Sequence, residues 1–231
     1  MDLKYKPVKS NAPRQGKRDA IMDAAIEVFG KNGLDGANVD DIARTAGVAK
    51  GTIYLYFTSK HEIFEAVLAE RWPGPFLDSL LPDMASVPEL YELPIATALE
   101  ELGLGFLDAV EDNLIVFRLA LGEAYRYPDA AEHLFENTFL KANRMVAGYL
   151  ERQAKAGVIA TLPNPMITAR CLQGMLMTYI LSQELLMGKK YTPIEKRDWV
   201  KEVVRLFLRG VEASETGMGL APKTLPPSEG T

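Results

Sequence analysis

The strongest constraint on the fold is the spacing of three residues between Asn38 and Phe57. Ala43, Gly47 and Ile53 are separated by four and by six positions. A small Ala43 allows two short helices to cross closely, Gly47 permits a left-handed residue in the turn between them, and Ile53 packs from the second helix against the first. This spacing is typical of a helix-turn-helix, and it predicts two short helices that pack as one unit.

The second of these helices has a buried and an exposed face when residues 49–57 are placed on a helical wheel. Ile53 and Phe57 fall together on the side that faces the core. The opposite face and its flanks carry small, apolar and aromatic residues: Gly51, Thr52, Tyr54, Leu55 and Tyr56. Such a ridge suits a helix that enters the major groove of DNA, because glycine permits close approach, leucine can contact a thymine methyl group, and tyrosine hydroxyls can reach phosphates or base edges. Ordinary packing of half-buried tyrosines is the alternative interpretation.

Positive charge is concentrated in the N-terminal quarter of a chain whose net charge is −5. Residues 1–60 hold 10 Lys and Arg against 7 Asp and Glu, a net charge of +3, whereas the remainder holds 16 against 24, a net charge of −8. Much of the positive charge lies between Lys4 and Arg18. This stretch is either a solvated tail or a basic arm beside a polyanion.

Lys60 stands at the start of a predicted helix, where Ser59 and Glu62 form a capping box. A cation at this end of a helix opposes the helix dipole. Beside a DNA phosphate the same cation is favourable, together with the backbone N–H groups of the first turn. We therefore expect Lys60, like Lys50 at the start of the preceding helix, to contact phosphate. A solvated surface lysine is the alternative interpretation.

Helical periodicity continues along the rest of the chain, and no region alternates as a strand does. The first helix is expected over about 15–31, with Gly33 as its C-cap, and the third over about 50–57. Proline and glycine separate five further predicted helices: 93–111, 113–126, 128–157, 164–188 and 194–213. The expected fold is all-α with about nine helices, in which a three-helix N-terminal helix-turn-helix bundle is followed by a larger C-terminal helical bundle.

Between Ala20 and Leu68 the sequence resembles the TetR family of bacterial transcriptional regulators. The matching segments are Phe29–Gly33, Ile42–Val48, Lys50–Phe57 and Ser59-Lys60. The segment Phe117–Phe139 is similar, more distantly, to the AcrR/AefR-like subgroup. The resemblance implies binding to a double-stranded DNA operator through residues of the motif and its flanks: Asn38, Arg44, Ala49, Lys50, Gly51, Thr52, Tyr54, Leu55, Tyr56 and Lys60.

Three positions depart from the family pattern. Asn38 stands where threonine is frequent and is expected to cap the second helix in its place. Ala49 stands where serine is frequent, so that a hydroxyl group is missing. Leu55 occupies a position that is often polar or aromatic, which favours apolar contact with a base over a hydrogen bond.

The resemblance also implies a C-terminal domain that binds a small molecule and forms a homodimer through the last two helices. The expected boundaries are a disordered basic arm at 1–13, a DNA-binding domain at 14–70 with its motif at about 38–57, a ligand-binding and dimerisation domain at 75–213, and a disordered tail at 214–231. The helix at 164–188 is apolar on two sides, with Cys171 on one and Leu172 on the other. A partner subunit would cover such a helix, and a central position in a monomer is the alternative.

Candidate residues for a pocket are polar or aromatic side chains within the apolar helices of this domain. Each could instead be an ordinary core or surface residue, and an apolar or aromatic effector is expected. These candidates are Phe117, Arg118, Glu123, His133, Asn137, Gln173 and Tyr179.

The function expected from these features is a ligand-responsive transcriptional regulator, a repressor that a small-molecule effector releases from a pseudo-palindromic operator. A helical adaptor that binds only proteins is the alternative, but it would not need the pattern from Lys50 to Lys60. No catalytic site, metal or cofactor is expected, because His61 and His133 lack metal-ligand spacing and no strand precedes a glycine-rich loop. A single cysteine, with no signal peptide and no membrane span, indicates a cytoplasmic protein, and the family resemblance implies a bacterial one.

Overall fold

The computed structural model of the 231-residue chain describes residues 13–71, 92–128, 131–132 and 135–211. All regular secondary structure in these ranges is helical, which confirms the predicted all-α class. The expected arm at 1–13 and the expected tail at 214–231 concern residues outside these ranges, apart from Pro13, which begins the first helix. No helix in the described ranges is both long enough and apolar enough to cross a membrane.

The N-terminal bundle consists of α1 (Pro13–Gly36), α2 (Val39–Ala46), α3 (Lys50–Ile53) and α4 (Lys60–Arg71). The apolar positions that define the inner face of α1 are fully or almost fully buried, as predicted: Ile21, Ala24, Ala25, Val28 and Phe29. Phe29 meets Phe64 of α4 edge to face, with ring centroids 6.0 Å apart. Helix α1 is longer than the predicted 15–31, because the chain resumes helical geometry after Gly33, whose φ of 69° interrupts it.

A buried charge cluster joins the beginning of α1 to the end of α4. Arg71 is 7% exposed, and its guanidinium donates to Asp19 at 2.7 Å and to Asp23 at 2.9 Å. At the preceding position of each helix, Arg18 forms a two-pronged ion pair with Glu70. Because a buried guanidinium requires carboxylate partners, these pairs fix how α4 lies along α1.

The C-terminal domain contains α5 (Ile95–Asp112), α6 (Leu114–Glu123), α7 (Lys141–Lys155), α8 (Pro165–Tyr179) and α9 (Lys196–Val211). All five predicted helices are present in the described ranges. The predicted helices at 128–157 and 164–188 contain π-helical segments that the sequence pattern does not indicate: Phe135–Leu140 precedes α7, and Ile180–Leu185 follows α8. The 3-10 turn Gly188–Lys190 then leads towards α9.

The helices of the C-terminal domain cross closely where a glycine removes a side chain. A Cβ at Gly103 of α5 would lie 3.0 Å from Val200 of α9 and 3.4 Å from Leu176 of α8. The missing side chain therefore allows α5 to pack against both helices at once.

Helix α6 connects the two domains, because it packs against α1 and α4. Gly30 of α1 approaches α6 so closely that a Cβ there would lie 2.9 Å from Ile115. Beyond the end of α6, the Tyr127 ring lies 5.5 Å from the His61 ring and 5.6 Å from the Phe64 ring, both on α4. The α4 helix is thus in contact with the C-terminal domain along one side.

Candidate nucleic-acid interface and ligand cavity

The turn between α2 and α3 has the geometry that the sequence predicts. Oδ1 of Asn38 accepts a hydrogen bond from the N–H of Asp41 at 2.7 Å, so that Asn38 caps α2. Gly47 ends α2 in the left-handed region, with a φ of 67°, and Val48 N donates to Ala43 O at 3.0 Å. Ala43 is 5% exposed where the helices cross. Local hydrogen bonds and one left-handed glycine therefore set the angle between the two helices.

Helix α3 is only one turn long, shorter than the predicted 50–57, and the chain continues from Tyr54 to Tyr56 as a turn. The amides of Tyr56 and Phe57 both donate to Ile53 O at 2.9 Å, so the turn keeps a helix-like course. The predicted orientation is confirmed, because Ile53 and Phe57 are 1% and 2% exposed.

The outer face of α3 and the turn that follows it is open to solvent. Leu55 is 81% exposed and Tyr54 is 50% exposed, whereas Thr52 and Tyr56 are half-buried. A Cβ placed on the exposed Gly51 would meet no atom within 4 Å. The backbone at Gly51 is therefore accessible beside two large exposed side chains, as a helix that approaches a groove requires.

Acidic residues of α2 form ion pairs with two of the predicted DNA-contacting cations. Lys50 Nζ donates to Asp40 Oδ2 at 2.9 Å, and this hydrogen bond raises the pKa of the lysine above its ordinary value. Arg44 pairs with Asp41 one turn earlier. Because the side chains of Lys50 and Arg44 are at least half exposed, both cations can exchange these carboxylates for phosphates.

Lys60 has a different local role from the one that its position at a helix start suggests. Its Nζ donates to Asp35 O at 3.1 Å and to Ala37 O at 2.8 Å, the carbonyl groups around the end of α1. A cation is favourable at the carboxyl end of a helix. Lys60 therefore stabilises the junction between α1 and α2, a contact that links residues 23 and 25 positions apart and that sequence spacing does not reveal.

The start of α4 contains half of the predicted capping box. Glu62 N donates to Ser59 Oγ at 3.1 Å. The Glu62 carboxylate accepts from Thr58, at 2.5 Å from the backbone N and 2.6 Å from Oγ1, and not from the backbone of Ser59. Hydrogen bonds from the Thr58 hydroxyl and amide lower the pKa of Glu62. The effect is to close the loop between α3 and α4 and to fix the position of the exposed ridge.

A cavity of about 180 Å³ lies between α5, α7 and α8 in the C-terminal domain. Its lining is largely apolar, with Glu101, Asn143 and Gln173 as the polar side chains. The apolar part of the lining, with two glycines, is Leu99, Leu102, Gly103, Gly105, Phe106, Ala142, Val146, Ala169, Leu172 and Leu176. Such a site suits a small apolar ligand that is oriented by few polar groups.

Of the predicted pocket residues that the structure describes, Gln173 is the one in the lining of this cavity. Phe117 is buried in the core, Arg118 is exposed, and Glu123 lies 3.7 Å from Arg126. Tyr179 is buried and donates its hydroxyl to Ile194 O at 3.3 Å. His133 lies outside the described residues, as does the side chain of Asn137. Asn143 was not predicted, because a buried asparagine has no signal in the sequence pattern.

Two family models match the chain over the two regions described above. The model described as "Bacterial regulatory proteins, tetR family" matches residues 21–67, and the model described as "AefR-like transcriptional repressor, C-terminal domain" matches residues 97–210. The first covers the helix-turn-helix with its flanking helices, and the second covers the domain that contains the cavity. The chain belongs to the TetR family. This family consists of transcriptional regulators and not of enzymes.

Similar proteins support the assignment to the TetR family, and their matches cover different shares of this chain. The regulator SrpR of Pseudomonas putida is 46% identical over 63 residues, 27% of this chain and 30% of that protein. The chain thus matches about a third of the length of this curated relative. A TetR-family regulator structure from Mesorhizobium loti MAFF303099 has a TM-score of 0.71 at 23% identity and covers 87% of this chain and 100% of that one.

A second similar structure is that of the transcriptional regulator FadR from Bacillus subtilis in complex with stearoyl-CoA. Its TM-score is 0.61 at 20% identity, and the match covers 84% of this chain and 98% of that one. At these identities the two structures establish that the fold is shared over both domains.

Proposed function

We propose that this TetR-family protein is a ligand-responsive repressor that binds a pseudo-palindromic operator as a homodimer. The observation that carries the proposal is the exposed ridge of α3, in which an accessible Gly51 lies beside Tyr54 and Leu55 and is followed by a closed, capped loop. A dimer would place two such ridges in successive major grooves. Lys50 and Arg44 would leave their carboxylates for phosphates, and Lys60 would add positive charge at the start of α4.

The surface that supports the homodimer is a stripe along α8 and its π-helical continuation. Its residues recur every three or four positions and are exposed although they are apolar or small: Ile167, Cys171, Gly174, Thr178 and Leu181. The opposite side of α8 is buried against the domain through Leu172 and Leu176. Leu206 of α9 is also 50% exposed. A second copy of these two helices would cover both surfaces in a symmetric four-helix contact.

Effector response would follow from the position of the cavity relative to the DNA-binding helices. The cavity is lined by α5, and α5 is joined directly to α6 through Asn113. Helix α6 in turn contacts α1 through Ile115, and the segment after it contacts α4 through Tyr127. A ligand that binds one arrangement of α5 and α6 more tightly would therefore favour one separation of the two recognition helices. The free energy of this shift cannot exceed the difference in the ligand's binding free energy between the two arrangements.

DNA binding is tested by a gel-shift titration with the intergenic DNA next to the gene, followed by footprinting. The expected result is a salt-dependent complex and a protected site with two related half-sites about one helical turn apart. A variant with Tyr54→Ala and Leu55→Ala should fold and lose the site-specific complex. Equal affinity of the parent protein for the intergenic DNA and for unrelated DNA would reject the proposal.

The dimer is tested by light scattering coupled to size exclusion. Leu181→Glu places a charge in the proposed contact and should give a monomer that keeps its helical content, whereas Leu121→Glu, an equally exposed leucine on α6, should leave the dimer intact. A monomeric parent protein, or a Leu181→Glu variant that stays dimeric, would reject this interface.

A further inference from the structure

Among the described residues that line the cavity between α5, α7 and α8, Asn143 has a buried polar atom without a hydrogen-bond partner. Asn143 is 2% exposed, and its Nδ2 donates to Oε1 of Gln173 at 2.9 Å. Its Oδ1 is buried and accepts no hydrogen bond from any described residue. Both side chains line the cavity. Since buried polar atoms in proteins are ordinarily hydrogen-bonded, this oxygen marks a place for a donor that the described part of the chain does not supply.

The charge of the lining indicates a neutral ligand. Among the described residues that line the cavity there is no Lys, Arg or His, and the single charged side chain, Glu101, is exposed. A carboxylate or phosphate drawn into this space would lose its hydration without gaining a cationic partner. An amide pair, by contrast, suits an uncharged group: a hydroxyl can donate to the oxygen or accept from the nitrogen, and it therefore satisfies the amide in either orientation.

The size of the cavity limits the ligand to a compact molecule. Its volume of about 180 Å³ is slightly larger than the roughly 150 Å³ of an engineered protein cavity that takes up benzene. It is below the usual range of roughly 300–1,000 Å³ for pockets that take drug-sized ligands. One or two fused rings would occupy this space, whereas a long acyl chain with a nucleotide head group would require a different arrangement of the helices.

We propose that the cavity takes a compact, uncharged, apolar molecule that carries one hydroxyl group, and that this hydroxyl donates to Oδ1 of Asn143. Gln173 is a positioning residue, because it accepts from Nδ2 and so holds the asparagine amide with its oxygen available. The inference rests on the proposed effector function of this domain and specifies the chemical class of the effector.

The test compares matched probes by isothermal titration calorimetry: 2-naphthol, naphthalene and decanoate. The parent protein should bind 2-naphthol about three- to tenfold more tightly than naphthalene, the range expected for one neutral hydrogen bond, and should bind decanoate more weakly than both. In Asn143→Leu, which keeps the side-chain size and removes the amide, the two aromatic probes should bind within about twofold of each other.

A matched control is Gln153→Leu, which removes a buried amide from the same helix at a position outside the lining. This variant should keep the preference for 2-naphthol. Thermal melts establish that each variant is folded, and if Asn143→Leu does not fold, the ratio of the two aromatic probes on the parent protein decides the matter.

Equal affinity of the parent protein for naphthol and naphthalene, tighter binding of decanoate, no binding of either aromatic probe, or an unchanged ratio in a folded Asn143→Leu protein would each overturn the inference. A gel shift with the ligand-free protein distinguishes failure of this inference from failure of the proposed function. A failure to bind DNA would reject the repressor and leave the ligand class in place, whereas normal DNA binding with the wrong ligand preference would reject only the ligand class.

Discussion

Arg126 and Asp35 join the two domains across 91 positions of the chain. Nη1 of Arg126, just beyond α6, donates to Oδ2 of Asp35 near the end of α1 at 2.5 Å. Lys60 binds the backbone carbonyl of the same aspartate. The residue that receives the contact from the C-terminal domain is therefore also part of the junction that supports the helix-turn-helix.

The Arg126–Asp35 pair predicts a pH dependence of the contact between the domains. The hydrogen bond from Arg126 lowers the pKa of Asp35 below its ordinary value of 3.8. A carboxyl group whose pKa is lowered by folding stabilises the folded arrangement above its unfolded pKa, and this contribution is lost as the pH falls through the folded pKa. The contact should thus be intact at neutral pH and weaken below about pH 4. In Arg126→Gln, a titration of the carboxyl carbon by NMR should show the pKa of Asp35 moving up towards 3.8.

Lys31→Gln is the control for this titration. Lys31 is an exposed cation on α1, the helix that carries Asp35, but it pairs with Glu27. It should leave the pKa of Asp35 unchanged. The same Asp35 pKa in the parent protein and in Arg126→Gln would show that the ion pair does not form in solution.

Lys50 and Lys60 should respond differently to removal of their charges. Lys50→Ala should reduce the salt dependence of operator binding by about one unit for each lost phosphate contact, or about two for a symmetric dimer, and leave the melting temperature unchanged. Lys60→Ala should lower stability by about 1 kcal/mol, because two carbonyl groups lose their donor. If Lys60 also contacts phosphate, the Lys60→Ala variant should show both a reduced salt dependence of operator binding and a reduced stability. Unchanged salt slopes in both variants would remove both lysines from the interface.

Leu55→Ala should weaken base discrimination without weakening the fold. The side chain is 81% exposed and has no hydrogen-bonding group, so a thymine methyl is the feature that it can recognise. In a binding-site selection, the preference for a T·A pair at one position per half-site should fall by about 1 kcal/mol. Ile53→Ala, two residues away and 1% exposed, is the control and should cost about 2–5 kcal/mol of stability. A Leu55→Ala protein that selects an identical half-site would show that Leu55 does not contact bases.

Two glycines of the motif should give opposite results when each is replaced by alanine. Gly47→Ala should lose about 1–2 kcal/mol of stability, because its φ is 67° although the space around it is open. Gly51→Ala should gain up to about 1 kcal/mol of stability, since Gly51 has ordinary helical geometry and open space around it. The variant should nevertheless bind the operator more weakly, because the added methyl group meets the DNA. Operator affinity equal to that of the parent protein in Gly51→Ala would reject close approach of the backbone at this position.

The sequence alone determined the features that depend on neighbours within a few positions. The cap at Asn38, the left-handed turn at Gly47 and the buried pair Ile53 and Phe57 all follow from interactions over ten residues or fewer, where spacing fixes geometry. The same reasoning located all the α-helices named above in the described ranges. It overestimated the length of α3. It also missed the π-helical segments, because the periodicity of apolar residues does not indicate where a helical turn contains one extra residue.

Only the tertiary structure decided which distant polar groups become partners. Lys60 is placed correctly by the sequence, but its carbonyl partners on α1 are defined by how α4 packs beside that helix. Arg126 meets Asp35, and Asn143 meets Gln173, through the crossing of helices that are far apart in sequence. In all three cases the physical reason is the same. A hydrogen bond needs its two atoms within about 3 Å, and for residues 23 to 91 positions apart that distance is set by the packing of the whole core and not by any local spacing.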